Sequence, residues 1–497
     1  MASPLSPEAA LDMLQATALT ARCHNAFFRQ KQLKTLHDTL RKNSNSIRDA
    51  IKQDTHVTDD EATTEVALVL DLVKEHYDSL DATKELEAEY SLTNGKNAAD
   101  RRFPWGVVYV EPQKSHTPFF SALSPVSAAI AAGSCVALKL ENNLRALPSL
   151  LRKLLREALE SDTFLIIASD PSPQSLAGCL QVFQETQISQ PSYSQHVSPR
   201  GKVVAVVDRT ADLAAAAEQL ITARFAFGGT SPYAPDIVLV NEFIKKDFLE
   251  HLLKNSFRFL AGSGTVSNGT TKANQRPSRI SDTFNALSES KSWKVSVITQ
   301  GDNGAILDLT NLLALPPKSE QPVFCVSAIT SLEHAISLVE DDLEPQESLL
   351  AGYHFGTASI DKYLSQFIVA NASFGNHIPF RLLLGPPAPL SQPFDVEKRY
   401  TPQQFMRLSP AYISAPPSQT AMAKLLSGKD SSKVANEVLR RATQEIKEKK
   451  RPFTITWGYF EKGLLIGLGV YGIPLLTCIG ATLFLGVRAG LRKFAII

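Results

Sequence analysis

The chain has 497 residues, 44% hydrophobic and 20% charged, enough for two or three domains and a large core. Its formal net charge of +1 excludes the basic footprint of a nucleic-acid-binding protein. Cys23, Cys135, Cys179, Cys325 and Cys478 form no C-x-x-C pair, which excludes a disulfide scaffold and a zinc site, implies no metal and fits a reducing compartment.

The N-terminal stretch has no basic run leading into an apolar one, so no signal peptide is expected. Residues 9–90 read as helices. Leu33, Leu36, Leu40, Ile47 and Ile51 recur at helical spacing, Asp54 to Glu61 is an acidic break, and Glu65 to Leu80 is a second striped helix. Phe103 to Gly106 is a turn. Val107–Val110 and Val136–Lys139 read as strands flanking a helix from Ser124 to Ala132, which Gly133 ends. This βαβ pattern predicts a parallel sheet. Taken alone, His116 is an exposed loop histidine and Lys139 a lysine snorkelling off a strand end.

Leu150 to Leu159 predicts a helix, and Phe164 to Ala168 a strand running into Ser169-Asp170-Pro171-Ser172-Pro173. Val203–Val207 is a strand, and Asp212 to Phe225 an alanine-rich helix. The stretch Arg224 to Val240 then reads as a turn with positive φ at Gly228-Gly229, followed by a buried strand from Ile237 to Val240. Amphipathic helices are expected over Asn241–Leu253 and Ser331–Val339, and a surface loop over residues 263–277. Residues 408–420 form a Pro/Ser linker, and Ala423 to Lys450 an exposed helix.

Gly463 to Val487 carries no charge and is long enough to cross a hydrocarbon core of roughly 30 Å. Lys447, Lys449, Lys450 and Arg451 precede it, Arg488, Arg492 and Lys493 follow it, and Trp457, Tyr459 and Phe460 fit an interfacial belt. Pro474 is expected to kink the span. Gly463 and Gly467 make one G-x-x-x-G, a weak pairing signal.

The segment around Ala234-Pro235-Asp236 resembles the nucleophile loop of the aldehyde dehydrogenase superfamily, which reads F-N-A-G-Q-T-C-V-A-P-D before an apolar strand. Gly106, Pro118, Pro125, Ala131-Ala132-Gly133 and Lys139 match another ordered run of that family, and Ser278-Arg279-Ile280 and Ile378-Pro379-Phe380 match further landmarks. With its apolar C-terminal stretch, the chain is most similar to the membrane-anchored fatty aldehyde dehydrogenases.

The resemblance implies an α/β fold: N-terminal helices and a Rossmann-type cofactor domain over residues 1–205, a second α/β domain over 206–385, an oligomerisation extension over 386–407, a linker and exposed helix over 408–462, and a transmembrane helix over 463–487. It implies NAD(P) as cofactor, with Lys139 at the adenosine ribose. Laid on without a gap, it places the catalytic cysteine on Pro232 with Ser231 beside it, the general base on Ser198, the oxyanion-hole asparagine on His116 and the nicotinamide-ribose glutamate on Lys318. The family's glycine-rich phosphate loop falls on Ser169 to Pro173, where prolines offer no N–H. A thiolate, a base and a bound nicotinamide are what such oxidation needs.

Two readings follow. One is a catalytically impaired binding or partner subunit, as a homodimer or in a hetero-oligomer with an active relative. The other is an NAD(P)-dependent oxidoreductase of long-chain aldehydes with altered catalytic residues. Either would be a single-pass, tail-anchored protein of the endoplasmic reticulum or peroxisome, with its body in the cytosol.

Overall fold

In the computed structural model, the described residues are 6–96, 101–260, 284–285, 287–344, 348–413, 422–423, 425–428, 431–449 and 459–493. The expected loop at 263–277, the Ser278-Arg279-Ile280 landmark, Trp457 and most of the linker lie outside them. The chain divides into two compact units, Met1–Ile413 and Ser414–Ile497.

The first unit opens with helices Pro7–Leu19, Ala26–Lys42, Ser44–Thr55, Asp59–Asp78 and Ala82–Thr93. The striped residues Leu33, Leu36, Leu40, Ile47 and Ile51 are all fully buried. The acidic break shrinks to three residues. Thr58 caps the next helix in a reciprocal box with Glu61, so the acids lie in its first turn, where they oppose the helix dipole.

Strands β1 (Arg102–Pro104), β2 (Val107–Glu111), β3 (Cys135–Lys139), β4 (Phe164–Ile167), β5 (Leu180–Phe183) and β6 (Gln195–Val197) follow. The last five form a parallel sheet in the order β4-β3-β2-β5-β6. The β2–β3 crossover is the helix Pro118–Ala132, longer than the expected Ser124 start because proline at the first helical position loses nothing by lacking an N–H. Gly133 ends it at φ 95°, and a Cβ there would lie 2.9 Å from the Cys23 carbonyl oxygen. The strand order reverses between β2 and β5, which is where an open α/β sheet offers a crevice to a ligand.

The second sheet holds β7 (Val203–Val207), β8 (Ile237–Asn241), β9 (Lys294–Gly301), β10 (Gly304–Thr310), β11 (Val323–Ile329), β12 (Ala351–Phe355) and β13 (Ser373–Gly375) in the order β13-β12-β7-β8-β11-β10-β9. It is parallel except for the β9–β10 hairpin. The expected boundary at residue 205 falls inside β7, which belongs wholly to this sheet. The change of sheet lies between Val197 and Val203. Asn241 still belongs to β8, so the helix expected from it starts at Lys245 and ends at Leu260. β14 (Met406–Leu408), in the expected extension, pairs antiparallel with β1.

In the second unit, Ser431–Ala442 is regular helix, and Glu437 there pairs with Arg440 and Arg441. Gln444 to Lys449 is not helical, unlike the expected continuous helix to Lys450. Glu461–Lys493 is long and apolar enough to cross a membrane, with a mean hydropathy of 2.0 in its most apolar window. Inside it, Leu468–Gly472 is a turn of π-helix, just before Pro474. Proline removes one N–H from the ladder, and a widened turn absorbs the loss.

Candidate functional site

β7, the helix Leu213–Phe225 and β8 form one βαβ unit, and the loop entering β8 carries the nucleophile-type residues. Phe227, Gly228 and Gly229 have φ of 53°, 65° and 73°. Gly229 needs to be glycine on a second count: a Cβ there would lie 2.6 Å from the Gln321–Pro322 peptide. The left-handed Phe227 is held from outside, its N–H donating to Glu61 Oε1 at 2.6 Å.

Beneath the loop, Arg224 is fully buried. Its guanidinium donates to the carbonyls of Gly229 (3.2 Å), Ser319 (2.8 Å), Pro235 (3.4 Å) and Gln321. It lies 3.7 Å from Asp236 Oδ1. Asp236, also buried, accepts from the N–H groups of Val203 (2.8 Å) and Ser319 (3.1 Å) and from Lys318 Nζ (3.1 Å). One carboxylate thus meets two cations and two backbone donors. Burial of the ammonium pushes the Lys318 pKa below its ordinary value; Asp236 opposes the shift and Arg224 adds to it.

Ser198, Pro232 and Lys318 line one cavity of about 150 Å³, with Glu185, Arg200 and Glu320 also on its walls. Lys318 Nζ donates to the Pro232 carbonyl oxygen at 2.5 Å. Ser231 stands apart: it is fully buried, and its Oγ accepts from the Tyr233 N–H at 3.3 Å as a turn cap. His116 is neither exposed nor a donor into the cavity. It is fully buried, with Nε2 donating to the Leu383 carbonyl at 2.7 Å and Nδ1 facing Thr230 Oγ1 at 2.9 Å. Burial lowers its pKa to about 4, so the imidazole is neutral. Packing of the Phe227 ring edge-on against it, with the Phe380–Leu383 turn, removes it from solvent.

Lys139 lies in the crevice of the first sheet. Its ammonium bonds to Glu111 Oε1 at 3.0 Å and to Asp170. Burial works against its charge, but the two carboxylates outweigh it and the pKa is raised. It is an ion-paired lysine rather than one snorkelling to solvent. The expected phosphate loop, Ser169 to Pro173, follows β4 at the sheet edge and leads only into a four-residue helix. The strand-order reversal puts the crevice instead at the loops after β2 and β5. There the N–H groups of Gln113, Lys114 and Thr186 already donate to Gln184 Oε1 (2.9 Å), Glu185 Oε1 (2.8 Å) and Glu111 Oε2 (3.3 Å). One amide oxygen and two carboxylates fill the donors a pyrophosphate would take, and the carboxylates repel its charge, so these residues do not fit a dinucleotide.

Residues 8–173 match the aldehyde dehydrogenase family model. An aldehyde dehydrogenase of Craterostigma plantagineum is 27% identical over 260 residues, 48% of this chain and 53% of that one. Aldehyde dehydrogenase family 3 member B1 of Rattus norvegicus is 25% identical over 274 residues, 52% of this chain and 58% of that one. The matched part therefore spans about half the length of these relatives. A family 3 protein of Dictyostelium discoideum, comG, is 22% identical over 405 residues, 73% of this chain and 84% of that one. The fold of Staphylococcus aureus AldH in its substrate-bound state superposes with a TM-score of 0.63 at 17% identity, covering 85% of this chain and 99% of that one.

The chain is similar to aldehyde dehydrogenases over its N-terminal part and has the aldehyde dehydrogenase fold. Its fold is the superfamily's, and Methanocaldococcus jannaschii glyceraldehyde-3-phosphate dehydrogenase GapN, solved with NADP, shares it with a TM-score of 0.61 at 14% identity over 82% of this chain and 94% of that one.

Within that superfamily fold, three positions singled out by resemblance, Ser198, Pro232 and Lys318, converge on one cavity, while Lys139, Ser231 and His116 do not line it. Sequence reasoning missed Arg224 and Asp236 as the ionic centre beneath the loop. The signal was an arginine in the last turn of an otherwise apolar, alanine-rich helix. None of the five cysteines lines this cavity: Cys23, Cys135, Cys179 and Cys325 are buried elsewhere, and Cys478 lies in the apolar helix. Burial pushes the Cys325 thiol up to about 12. Among the described residues no group of three or more His, Cys, Asp or Glu could hold a metal ion.

Proposed function

We propose that this protein is a membrane-anchored member of the superfamily that binds its ligand without oxidising it, and acts as a binding or partner subunit, either as a homodimer or beside an active relative. The observation that carries the reading is the contact of Lys318 Nζ with the Pro232 carbonyl at 2.5 Å. Where the resemblance calls for a sulfur nucleophile and a ribose-binding carboxylate, the cavity instead holds a proline carbonyl occupied by an ammonium. Ser198 adds to this support, since a hydroxyl cannot relay a proton from water at neutral pH as a carboxylate does. The occupied N–H groups of the crevice argue against a tightly held NAD(P).

In this reading the first sheet keeps the framework of a cofactor domain, the cavity lies between it and the loops of the second sheet, 386–407 serve oligomerisation and the apolar helix holds the protein at a membrane. The test uses the purified full-length chain in detergent with NAD or NADP and a long-chain aldehyde, followed by the absorbance of the reduced nicotinamide. No turnover above background is expected. A rate in the ordinary enzymatic range, about 1 to 10³ per second, overturns the reading.

A further inference from the structure

We infer that Lys318 is a carbonyl-capturing amine, and that its Nζ forms a Schiff base with an aldehyde entering the cavity bounded by Ser198 and Pro232. This deepens the reading above and rests on its placing of ligand binding in that cavity.

The placement of charge sets Lys318 apart. Lys139 faces Glu111 and Asp170, and Lys114 faces Glu141 and Glu185. For both, opposing carboxylates outweigh burial and hold the ammonium charged. Lys318 shares the single carboxylate of Asp236 with the fully buried Arg224, while the Val203 and Ser319 N–H groups also bond it. If Lys318 loses its proton, Asp236 and Arg224 remain as a neutral pair. The proton is therefore lost more readily here than at Lys139 or Lys114, and the neutral amine is the nucleophilic form. Glu320 faces the amine from its own segment, and Glu185 and Arg200 stand on the cavity walls.

Access and size agree with capture. The Lys318 side chain keeps 26% of its surface exposed, although burial acts strongly on its charge. The cavity of about 150 Å³ is of the size that takes a benzene-sized molecule, roughly six heavy atoms. That is the reactive end of an aldehyde, with any longer chain left outside.

The step balances without an oxidant. The Nζ lone pair bonds to the carbonyl carbon, giving a carbinolamine. The carbonyl oxygen then leaves as water with the two hydrogens of the neutral amine, and C=N replaces C=O. Glu320 and Glu185 are the carboxylates placed to carry protons between nitrogen and oxygen. The linkage reverses by hydrolysis, so the site holds and releases its ligand.

The test treats the full-length protein in detergent with pentanal and sodium cyanoborohydride at pH 7, and maps pentyl groups by peptide mass spectrometry. Its lowered pKa raises the free-amine fraction at pH 7, so Lys318 is expected to be labelled severalfold faster than the exposed Lys31 and Lys84. Lys318→Arg should lose the fast phase and leave slow surface labelling unchanged. Labelling of Lys318 in the wild-type chain no faster than that of Lys31 overturns the inference, whatever the variant does. Reduction of NAD in the separate assay would instead overturn the proposed function, so the two failures are distinct.

Discussion

Lys318 and Pro232 stand 86 residues apart in the chain, yet the ammonium of one lies 2.5 Å from the carbonyl oxygen of the other. Behind them Asp236 and Arg224 complete an ionic cluster in which removal of each member has a different consequence.

Asp236→Asn removes the carboxylate that bonds Lys318 and lies beside the buried Arg224, leaving two cations together. Stranding a buried charge costs about 3–5 kcal/mol, and that loss is expected in denaturant unfolding of the detergent-solubilised chain. Lys318→Met leaves Asp236 paired with Arg224 and two N–H groups, so a loss below about 1 kcal/mol is expected. Equal losses from the two variants would contradict the charge count of the cluster.

Glu65 predicts a pH signature. It is 1% exposed, and its Oε1 accepts from the N–H groups of Phe119 and Phe120, capping the helix Pro118–Ala132 from a neighbouring helix. Burial nevertheless outweighs those bonds and raises its pKa to about 7. The folded state therefore holds this proton more tightly than the unfolded chain does. The stability it contributes is complete below about pH 4.5 and is lost as pH rises to about 7. His76, His116 and His354 act oppositely, since burial lowers each to about 4 and their contribution is lost as pH falls from about 6.5 towards 4. Glu65→Gln isolates the carboxyl. Relative to wild type, the variant should gain about 2–3 kcal/mol between pH 4.5 and 7.5 in unfolding measurements. A difference that does not vary with pH would show that Glu65 ionises freely in the folded chain.

The features legible in the sequence are those set by local rules. Positive φ at Gly228 and Gly229 follows from paired glycines between an apolar helix and an apolar run, and β8 follows from that run. The C-terminal apolar helix is legible because a span of that length needs no tertiary information. Features that depend on strand order and distant packing were hidden. The resemblance laid the family's phosphate loop on Ser169 to Pro173, after a strand, but only the order β4-β3-β2-β5-β6 shows that the crevice opens after β5. His116 looked exposed because the residues that bury it, Phe227 and Leu383, lie more than a hundred positions away. The sequence marks Glu65 only as the start of a striped helix; that its carboxyl caps the Pro118 turn appears only with the fold.

The apolar helix is expected to govern partition. Ending the chain after Lys462 removes most of Glu461–Lys493, and the protein should move from the membrane pellet to the soluble fraction. Retention of the truncated form on membranes through high salt and carbonate washing would place the anchor elsewhere.

Pro232→Cys separates nucleophile from catalyst. A thiol at this position would lie close to the Lys318 ammonium, which bonds to the carbonyl of the same residue. A neighbouring cation favours the thiolate, so rapid alkylation by iodoacetamide at neutral pH is expected from the variant. Oxidation of an aldehyde is not. Ser198 supplies no general base, an absence that costs about 10² to 10⁴ in rate. Hydride transfer also needs a nicotinamide in place, and the crevice N–H groups of Gln113, Lys114 and Thr186 remain engaged by Gln184, Glu185 and Glu111. Adding Ser198→Glu and Lys318→Glu corrects the cavity without freeing those donors, so the triple variant should still form no reduced nicotinamide above background. Fast alkylation of the single variant, lost in the triple variant with its cation, and no turnover in either is the expected pattern. Turnover by the single variant would mean that the crevice accepts the dinucleotide despite its carboxylates. Turnover by the triple variant alone would place the whole block in the cavity.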